Sequence, residues 1–376
     1  MKKVSKIILR DPGQGHRVPA RGLALSAFFE NIARGASKAV PERRKVTGGP
    51  GAVARALLAV CGVFLISMLT PARAAGVQPK PDWDLSDMPS QQGRIFLVTG
   101  GTSGIGFETT KALAAAGAQV VIASRNHEKG DEMIAIIQRD IPGARVQFEK
   151  LDLADLASVR ALAGRVEQSL PRLDGLINNA GIMEPPERGV SVDGYEMQFA
   201  VNYLGHFALT AELLPLLRKS DSPRVVTLSS IAAARGSIHF EDLQFERDYD
   251  AMGAYAQSKL ACLMFARELQ RRSDAAGWGL RSMASHPGLS RTNLNEGRWP
   301  RRLLPFMFQA AERGALPTLY AATAQNAQSG AYYGPTGMME TRGPLGFAEI
   351  PTAASDDAAS ARLWEVAEQL TGVRYR

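Results

Sequence analysis

Tyr255 and Lys259 are the two residues whose types and spacing most directly indicate chemistry in this chain. They stand four positions apart in a stretch, 254–272, that is predicted to be helical, so both side chains lie on one face. A tyrosine hydroxyl has a reference pKa of about 10, and a nearby ammonium group favours its ionised form. The pair predicts a tyrosine that gives or takes a proton near neutral pH, although a surface helix pair has the same spacing.

A glycine-rich turn separates the first predicted strand, 94–99, from a helix predicted over 105–117. Glycines let the backbone approach a pyrophosphate closely, and the N-terminal end of a helix favours negative charge. The turn therefore predicts a dinucleotide-binding site, against the alternative of a tight turn without a ligand. Its sequence is Thr99-Gly100-Gly101-Thr102-Ser103-Gly104-Ile105-Gly106.

The second predicted strand, 119–124, is followed by Arg125 and Asn126 rather than by an acidic residue. Enzymes that use NAD usually carry an acidic residue here, which binds the ribose 2′-hydroxyl. An arginine instead offers a bidentate partner for a 2′-phosphate. The sequence therefore predicts NADP(H) as the cofactor and NAD(H) as the less favoured one, while a solvated Arg125 is the alternative.

The elements that must position these residues alternate between strands and helices. Such alternation produces right-handed βαβ units and a parallel sheet. The predicted fold class is α/β, with a single Rossmann-type doubly wound parallel sheet and helices on both faces. Strands are expected at 94–99, 119–124, 146–151, 175–178, 224–229 and 280–285, and helices at 105–117, 127–140, 156–170, 194–218 and 254–272.

From about Gly93 to its C-terminus, the chain resembles the short-chain dehydrogenase/reductase family. The resemblance rests on the TGxxxGxG spacing, on an Asn-Asn-Ala-Gly motif at 178–181, and on Pro287-Gly288 followed by Thr292. It implies that the Asn-Asn-Ala-Gly motif lines the cofactor cleft, that Asp152 meets the adenine and that Thr292 contacts the nicotinamide amide. The residues expected to bind the cofactor are Gly100, Thr102, Ser103, Gly104, Ile105, Gly106, Arg125, Asn126, Asp152, Leu153, Asn179, Ala180, Gly181, Tyr255, Lys259, Pro287, Gly288 and Thr292.

The same resemblance assigns a catalytic tetrad: Asn202, Ser230, Tyr255 and Lys259. It implies that Ser230 hydrogen-bonds the substrate oxygen, that Ser229 is structural, and that Asn202 holds a water linking Lys259 to solvent. A buried polar kink in a helix is the alternative role for Asn202. The implied reaction passes hydride between nicotinamide and a carbonyl carbon while Tyr255 transfers the proton, and it requires no metal.

Later features resemble the retinol-dehydrogenase-like branch of that family: a long interval between Ser230 and Tyr255, the stretch 332–337, and Leu363-Trp364-Glu365. This resemblance implies a small lipophilic alcohol, aldehyde or ketone as substrate. Residues 298–308 mix basic, aromatic and aliphatic side chains. They predict either a lid over an apolar pocket that touches a membrane surface, or an ordinary packing segment.

A catalytically retired NADP(H)-binding sensor or scaffold is the alternative function. The complete tetrad argues against it, because a retired site has no reason to keep all four residues.

The net charge of +7 belongs to the N-terminal part of the chain. Residues 1–93 hold 14 Lys and Arg against 6 Asp and Glu, while the remainder holds 30 against 31. Residues 94–376 therefore lack the overall basic charge that is typical of nucleic-acid-binding proteins. The two cysteines form no disulfide framework, and no histidine spacing indicates a metal site.

The sequence divides into a basic leader, 1–93, and a catalytic domain, 94–376. An uncharged apolar run at 56–70 and the pattern Ala72-Arg73-Ala74 indicate a secretory signal or a membrane anchor. The run is shorter than the ~20 residues that a spanning helix needs. The chain is therefore expected to be exported or membrane-associated through its leader. A cytoplasmic protein with a wrongly assigned start is the alternative, and the sequence is compatible with an oligomer.

Overall fold

The structure is a computed structural model that describes residues 78–292 and 305–376. The apolar run at 56–70, the cleavage pattern at 72–74 and residues 298–304 of the predicted lid lie outside the described residues. Within the described ranges, no helix combines the length and the apolar character needed to cross a bilayer.

One eight-stranded sheet organises the described residues. Its strands are β1 Ile95–Thr99, β2 Gln119–Ser124, β3 Arg145–Lys150, β4 Gly175–Asn178, β5 Arg224–Leu228, β6 Arg281–Ser285, β7 Tyr332–Gly337 and β8 Arg342–Phe347. They lie in the order β3-β2-β1-β4-β5-β6-β7-β8, and the first seven are mutually parallel while β8 pairs antiparallel with β7. The predicted doubly wound parallel sheet is confirmed, and the antiparallel edge is an addition to it.

Helices cover both faces of the sheet, as doubly wound topology requires. One face packs against α1, α2 and α6, and the other against α3, α4, α5 and α7. The helices are α1 Gly104–Ala115, α2 His127–Asp140, α3 Leu156–Ser169, α4, α5 Ala251–Ala276, α6 Ala311–Thr323 and α7 Asp357–Thr371. Helix α4 consists of Met197–Phe199, a π-helical turn at Ala200–Leu204, and Gly205–Leu217.

The helix that carries Tyr255 and Lys259 is longer than predicted at both ends. Asp250 caps its start by accepting hydrogen bonds from the backbone amides of Met252 and Gly253. Gly277 ends it in the left-handed region, at φ 66°. These two signals lie beyond the apolar periodicity on which the prediction of 254–272 rested.

Residues 78–93, which the sequence groups with the leader, pack on the body where α1 and α6 lie. The Trp83 ring is buried and meets the Tyr320 ring edge-on, with centroids 5.4 Å apart. The Gln91 side chain is buried, and its backbone amide donates to the carbonyl of Ala116 at 2.8 Å. The chain therefore joins the core before β1 begins, while the proposed domain boundary at Gly93 stays a prediction.

Candidate functional site

The glycine turn brings the end of β1, the start of α1 and the Asn-Asn-Ala-Gly motif into close contact. A Cβ atom on Gly106 would lie 2.4 Å from both Asn179 Nδ2 and the Gly100 carbonyl oxygen. Gly104, the first residue of α1, has φ +52°. Ser103 stands at the N-cap but makes no side-chain capping bond. The turn therefore presents closely approachable backbone and a helix N-terminus, which suits a pyrophosphate.

Thr99, the last residue of β1, ties the turn to the motif after β4. Its Oγ1 accepts hydrogen bonds from the backbone amides of Asn179 at 2.9 Å and Ala180 at 3.0 Å. The Asn179 side chain in turn donates to the Thr99 carbonyl at 2.7 Å. Buried Asn178 donates to Thr210 of α4 at 3.0 Å, which braces the sheet against that helix. The motif signalled Asn179 and Ala180, whereas the role of Thr99 was missed.

The end of β2 combines an exposed arginine with a capped helix. Arg125 is exposed and forms no ion pair within the described residues. Asn126 caps α2, since its Oδ1 accepts from the Lys129 amide at 2.9 Å. Ser124 and Thr102 lie beside each other, with their hydroxyl oxygens 3.4 Å apart. Arg125 thus stands next to the glycine turn with its guanidinium available to an anion.

Asp152 and Leu153 follow β3 in a tightly held loop. Asp152 Oδ1 accepts from the Ala154 amide at 3.0 Å, and the Asp152 amide donates to Ser158 Oγ at 2.9 Å. Leu153 is buried, and a Cβ on Gly205 of α4 would lie 2.5 Å from its carbonyl oxygen. These contacts place both residues at the carboxyl end of β3, the end at which ligands bind in such sheets.

Tyr255 and Lys259 are buried on α5, and Lys259 faces the last residue of the Asn-Asn-Ala-Gly motif. Lys259 Nζ lies 6.0 Å from the centroid of the Tyr255 ring and donates to the Leu228 carbonyl at 3.1 Å. A Cβ on Gly181 would lie 3.4 Å from Lys259 Nζ and 3.2 Å from Asn202 Oδ1. The structure therefore brings Tyr255, Lys259, Asn202 and Gly181 together.

Asn202 lies in the π-helical turn of α4, a feature that often marks functional positions. Its side chain donates to the Ile182 carbonyl at 3.0 Å and to Ser258 Oγ at 2.9 Å, and it accepts from the Ile182 amide at 2.9 Å. The side chain thus ties the segment after Gly181 to α5. The predicted water at Asn202 stays a prediction.

His206 was missed by the sequence analysis, although it stands one helical turn after Asn202. Its Nδ1 donates to the Asn202 carbonyl at 2.9 Å, and its Nε2 lies 2.8 Å from Thr99 Oγ1. Burial lowers the pKa of His206 from 6.5 to about 4; Lys259 acts in the same direction and the Asn202 carbonyl opposes both. A neutral ring protonated on Nδ1 therefore accepts from Thr99 and connects the π turn to β1.

The two serines after β5 have different surroundings. Ser229 is buried, and its Oγ donates to the Lys259 carbonyl at 2.7 Å. Ser230 is half-buried, and its Oγ accepts from the Ala232 amide at 3.1 Å, which leaves the hydroxyl proton for another acceptor. Tyr332 of β7, whose pKa burial raises strongly, donates to the Ser230 carbonyl at 3.3 Å. Its place beside Ser230 was also missed, because the sequence marked only the 332–337 stretch.

The loop after β6 reaches back to the glycine turn. A Cβ on Gly104 would lie 2.9 Å from Thr292 Cγ2. The Pro287 carbonyl accepts from Ser290 Oγ at 2.7 Å and from Gln309 Nε2 at 2.8 Å. Pro287, Gly288 and Thr292 therefore lie on a loop held between the glycine turn and the segment that begins at residue 305.

Comparison with known proteins gives consistent results. Residues 94–302 match the short chain dehydrogenase family. The chain is 38% identical to retinol dehydrogenase 12 of Mus musculus over 290 residues, which cover 75% of this chain and 88% of that protein. It is 37% identical to the polyprenol dehydrogenase of Mus musculus over 330 residues, covering 85% and 96%.

A solved short chain dehydrogenase from Shigella flexneri 2a, in complex with NADP, shares the fold. Its TM-score is 0.53 at 28% sequence identity, covering 65% of this chain and 97% of that one. The predicted membership of the short-chain dehydrogenase/reductase family is thus confirmed, and so is the predicted resemblance to its retinol-dehydrogenase-like branch.

Proposed function

The chain belongs to the short chain dehydrogenase family and is an oxidoreductase of CH–OH groups, and we propose that it interconverts a lipophilic alcohol and its carbonyl with NADP(H). The observation that carries the proposal is the meeting of Lys259 and Asn202 at Gly181, with the Tyr255 ring centroid 6.0 Å from the Lys259 ammonium. Ser230, with a hydroxyl proton left for an acceptor, would complete this site after β5.

The residues at the sheet edge fit a nicotinamide dinucleotide. The glycine turn with Gly106 and the uncapped start of α1 would hold the pyrophosphate, and Asp152 and Leu153 would meet the adenine. Pro287, Gly288 and Thr292 would hold the nicotinamide half. When bound, the cofactor supplies or accepts the hydride.

The protein's own groups then handle the proton and the substrate oxygen. Tyr255 would give its hydroxyl proton to the forming alkoxide, or take it in the reverse direction. Ser230 would donate a hydrogen bond to that same oxygen. Lys259, whose ammonium lies beside the Tyr255 ring, would stabilise the phenolate that remains. Asn202 would hold the water that connects Lys259 to solvent, while its side chain keeps the Ile182 segment against α5.

The preference for NADP(H) is supported by the end of β2. Exposed Arg125 has no ion-pair partner among the described residues, and no carboxylate stands at this strand end to repel a phosphate. The NADP complex of the Shigella flexneri relative supports the same cofactor.

A lipophilic substrate is supported by the names of the relatives and by exposed apolar side chains. Retinol and polyprenol are long apolar alcohols. Phe306, Met338 and Met339 are 57%, 48% and 83% exposed, and Arg342 Nη1 donates to the Phe306 carbonyl, which joins their two segments. Exposed apolar surface of this kind favours contact with an apolar ligand.

The test is the rate of NADPH oxidation by the purified full chain with a panel of long-chain aldehydes and ketones. Short water-soluble carbonyls of the same reactivity are the matched controls. The expected result is turnover of the long substrates, with kcat/KM increasing with apolar length. NADPH binding without turnover of any carbonyl would instead support a retired sensor, and equal rates for short and long substrates would overturn the substrate class.

A further inference from the structure

The turn between β7 and β8 contains three consecutive residues, none of them glycine, in the left-handed region. Met338, Met339 and Glu340 have φ of 45°, 56° and 60°. Such a conformation is strained for a residue with a side chain and persists only where its surroundings determine it. Within the turn, the Met338 carbonyl accepts from the Thr341 amide at 3.2 Å and from Thr341 Oγ1 at 2.7 Å, and contacts with the rest of the chain are made by Glu340 and Thr341.

The Glu340 carboxylate bridges the end of β8 and the loop that follows β6. Its Oε1 accepts from the Glu349 amide at 2.7 Å, and its Oε2 lies 3.2 Å from Nε2 of His286. Burial raises the pKa of Glu340, but the His286 contact and the Glu349 amide outweigh it and leave the pKa below its ordinary value. The carboxylate is accordingly ionised at neutral pH.

His286 is fully buried immediately before Pro287 and Gly288. Its Nδ1 accepts from the Gly288 amide at 3.2 Å, so the ring proton resides on Nε2, which faces Glu340. Nε2 has no aligned hydrogen-bond acceptor within the described residues, which makes the nearby carboxylate its one electrostatic partner there. Glu340 thereby favours the tautomer that holds the Gly288 amide.

The next residue of the turn contacts the same loop directly. The Thr341 carbonyl accepts from the Leu289 amide at 2.7 Å. A Cβ on Gly288 would lie 2.3 Å from that carbonyl oxygen, so the loop and the turn are in backbone contact. Gly288 is thus held from two sides, by His286 and by Thr341.

We propose that Glu340 is a positioning residue that acts through His286 to hold the Pro287-Gly288 loop against the nicotinamide half of the cofactor. The inference rests on the proposed function, which places the nicotinamide at this loop. In the part of the chain that the structure describes, the Glu340 carboxylate contacts His286 and the Glu349 amide, and none of the residues assigned to the adenine side. Its loss should therefore weaken binding of the whole dinucleotide without weakening binding of an adenine-side fragment.

The test compares the Kd of NADPH with the Kd of 2′,5′-ADP, which lacks the nicotinamide, for the full chain and three variants. For Glu340→Ala, the Kd of NADPH is expected to rise about tenfold while that of 2′,5′-ADP stays within about twofold. Glu340→Gln keeps an oxygen beside His286 Nε2 and should retain most of the affinity. Glu349→Gln is the matched control, because its exposed side chain is altered while its backbone amide to Glu340 remains.

Three results would overturn the proposal: equal losses for both ligands in Glu340→Ala, no loss for either, or, where Glu340→Ala does not fold, a Glu340→Gln variant that weakens both ligands equally. Failure of the proposed function has a different signature. A wild-type chain that binds NADH but not NADPH would contradict the cofactor assignment alone, and the same comparison would then use NADH and 5′-ADP.

Discussion

The two halves of the cleft are built in different ways. In the half that contains the glycine turn, backbone segments meet closely because Gly106 has no side chain. The catalytic half depends on buried polar side chains that join remote segments, such as Asn202 to Ser258 and Ser229 to Lys259. The first half is therefore sensitive to added atoms and the second to removed ones.

Tyr255→Phe tests the catalytic half and should produce the largest effect. Removal of the hydroxyl alone is expected to lower kcat by about 10²- to 10⁴-fold, because it removes the proton-transfer group. The Kd of NADPH should remain near the wild-type value. Steady-state rates and fluorescence titration measure the two quantities, and a near-normal kcat would show that another group transfers the proton.

The buried His206 makes the stability of the catalytic half sensitive to acid. Its folded-state pKa of about 4 lies below the ordinary 6.5, so the unfolded chain binds the extra proton first. Its contribution to stability is complete above pH 6.5 and is lost as the pH falls towards 4, amounting to ~3 kcal/mol. Urea unfolding at a series of pH values measures this slope.

His206→Gln should be less stable than wild type near neutrality but should lose less stability between pH 6.5 and pH 4. The matched control is His127→Gln, because the His127 side chain is 68% exposed and pairs with Asp131 at the surface. Parallel profiles of unfolding free energy against pH for wild type and His206→Gln would show that His206 does not cause the acid sensitivity.

Gly106→Ala tests the opposite half by adding one carbon atom. The new Cβ would lie 2.4 Å from Asn179 Nδ2, so the turn and the Asn-Asn-Ala-Gly motif must separate. A cost of about 1–3 kcal/mol in unfolding free energy is expected, together with weaker NADPH binding. Gly164→Ala on α3 is the matched control, since no other segment of the described chain lies within 4 Å of its added Cβ. Equal effects of the two substitutions would contradict the steric argument.

Arg125→Ala should have the smallest effect, because the side chain is exposed. The Kd of NADPH is expected to rise about tenfold through the loss of the 2′-phosphate partner, with little change for NADH. Calorimetric titration with each nucleotide measures the difference. Similar losses of affinity for both nucleotides, or no loss for either, would contradict the proposed role of Arg125.

The sequence predicted those parts of the fold that consecutive residues encode. Apolar runs identified β1, β2 and β4 to within one residue, and the glycine spacing identified the start of α1. The motif residues at the strand ends were found because parallel strands bring their carboxyl ends to one edge. The assigned chemical roles of the tetrad stay predictions that the variants above can test.

Only the tertiary structure decided which side chains hold this site together. His206 lies 107 positions from Thr99, and Tyr332 lies 102 positions from Ser230. No local pattern encodes such pairs, because the order of the strands in the sheet determines which remote residues meet. The left-handed turn at 338–340 is equally invisible in sequence, since it contains no glycine to signal it and is held by contacts with the distant loop at His286.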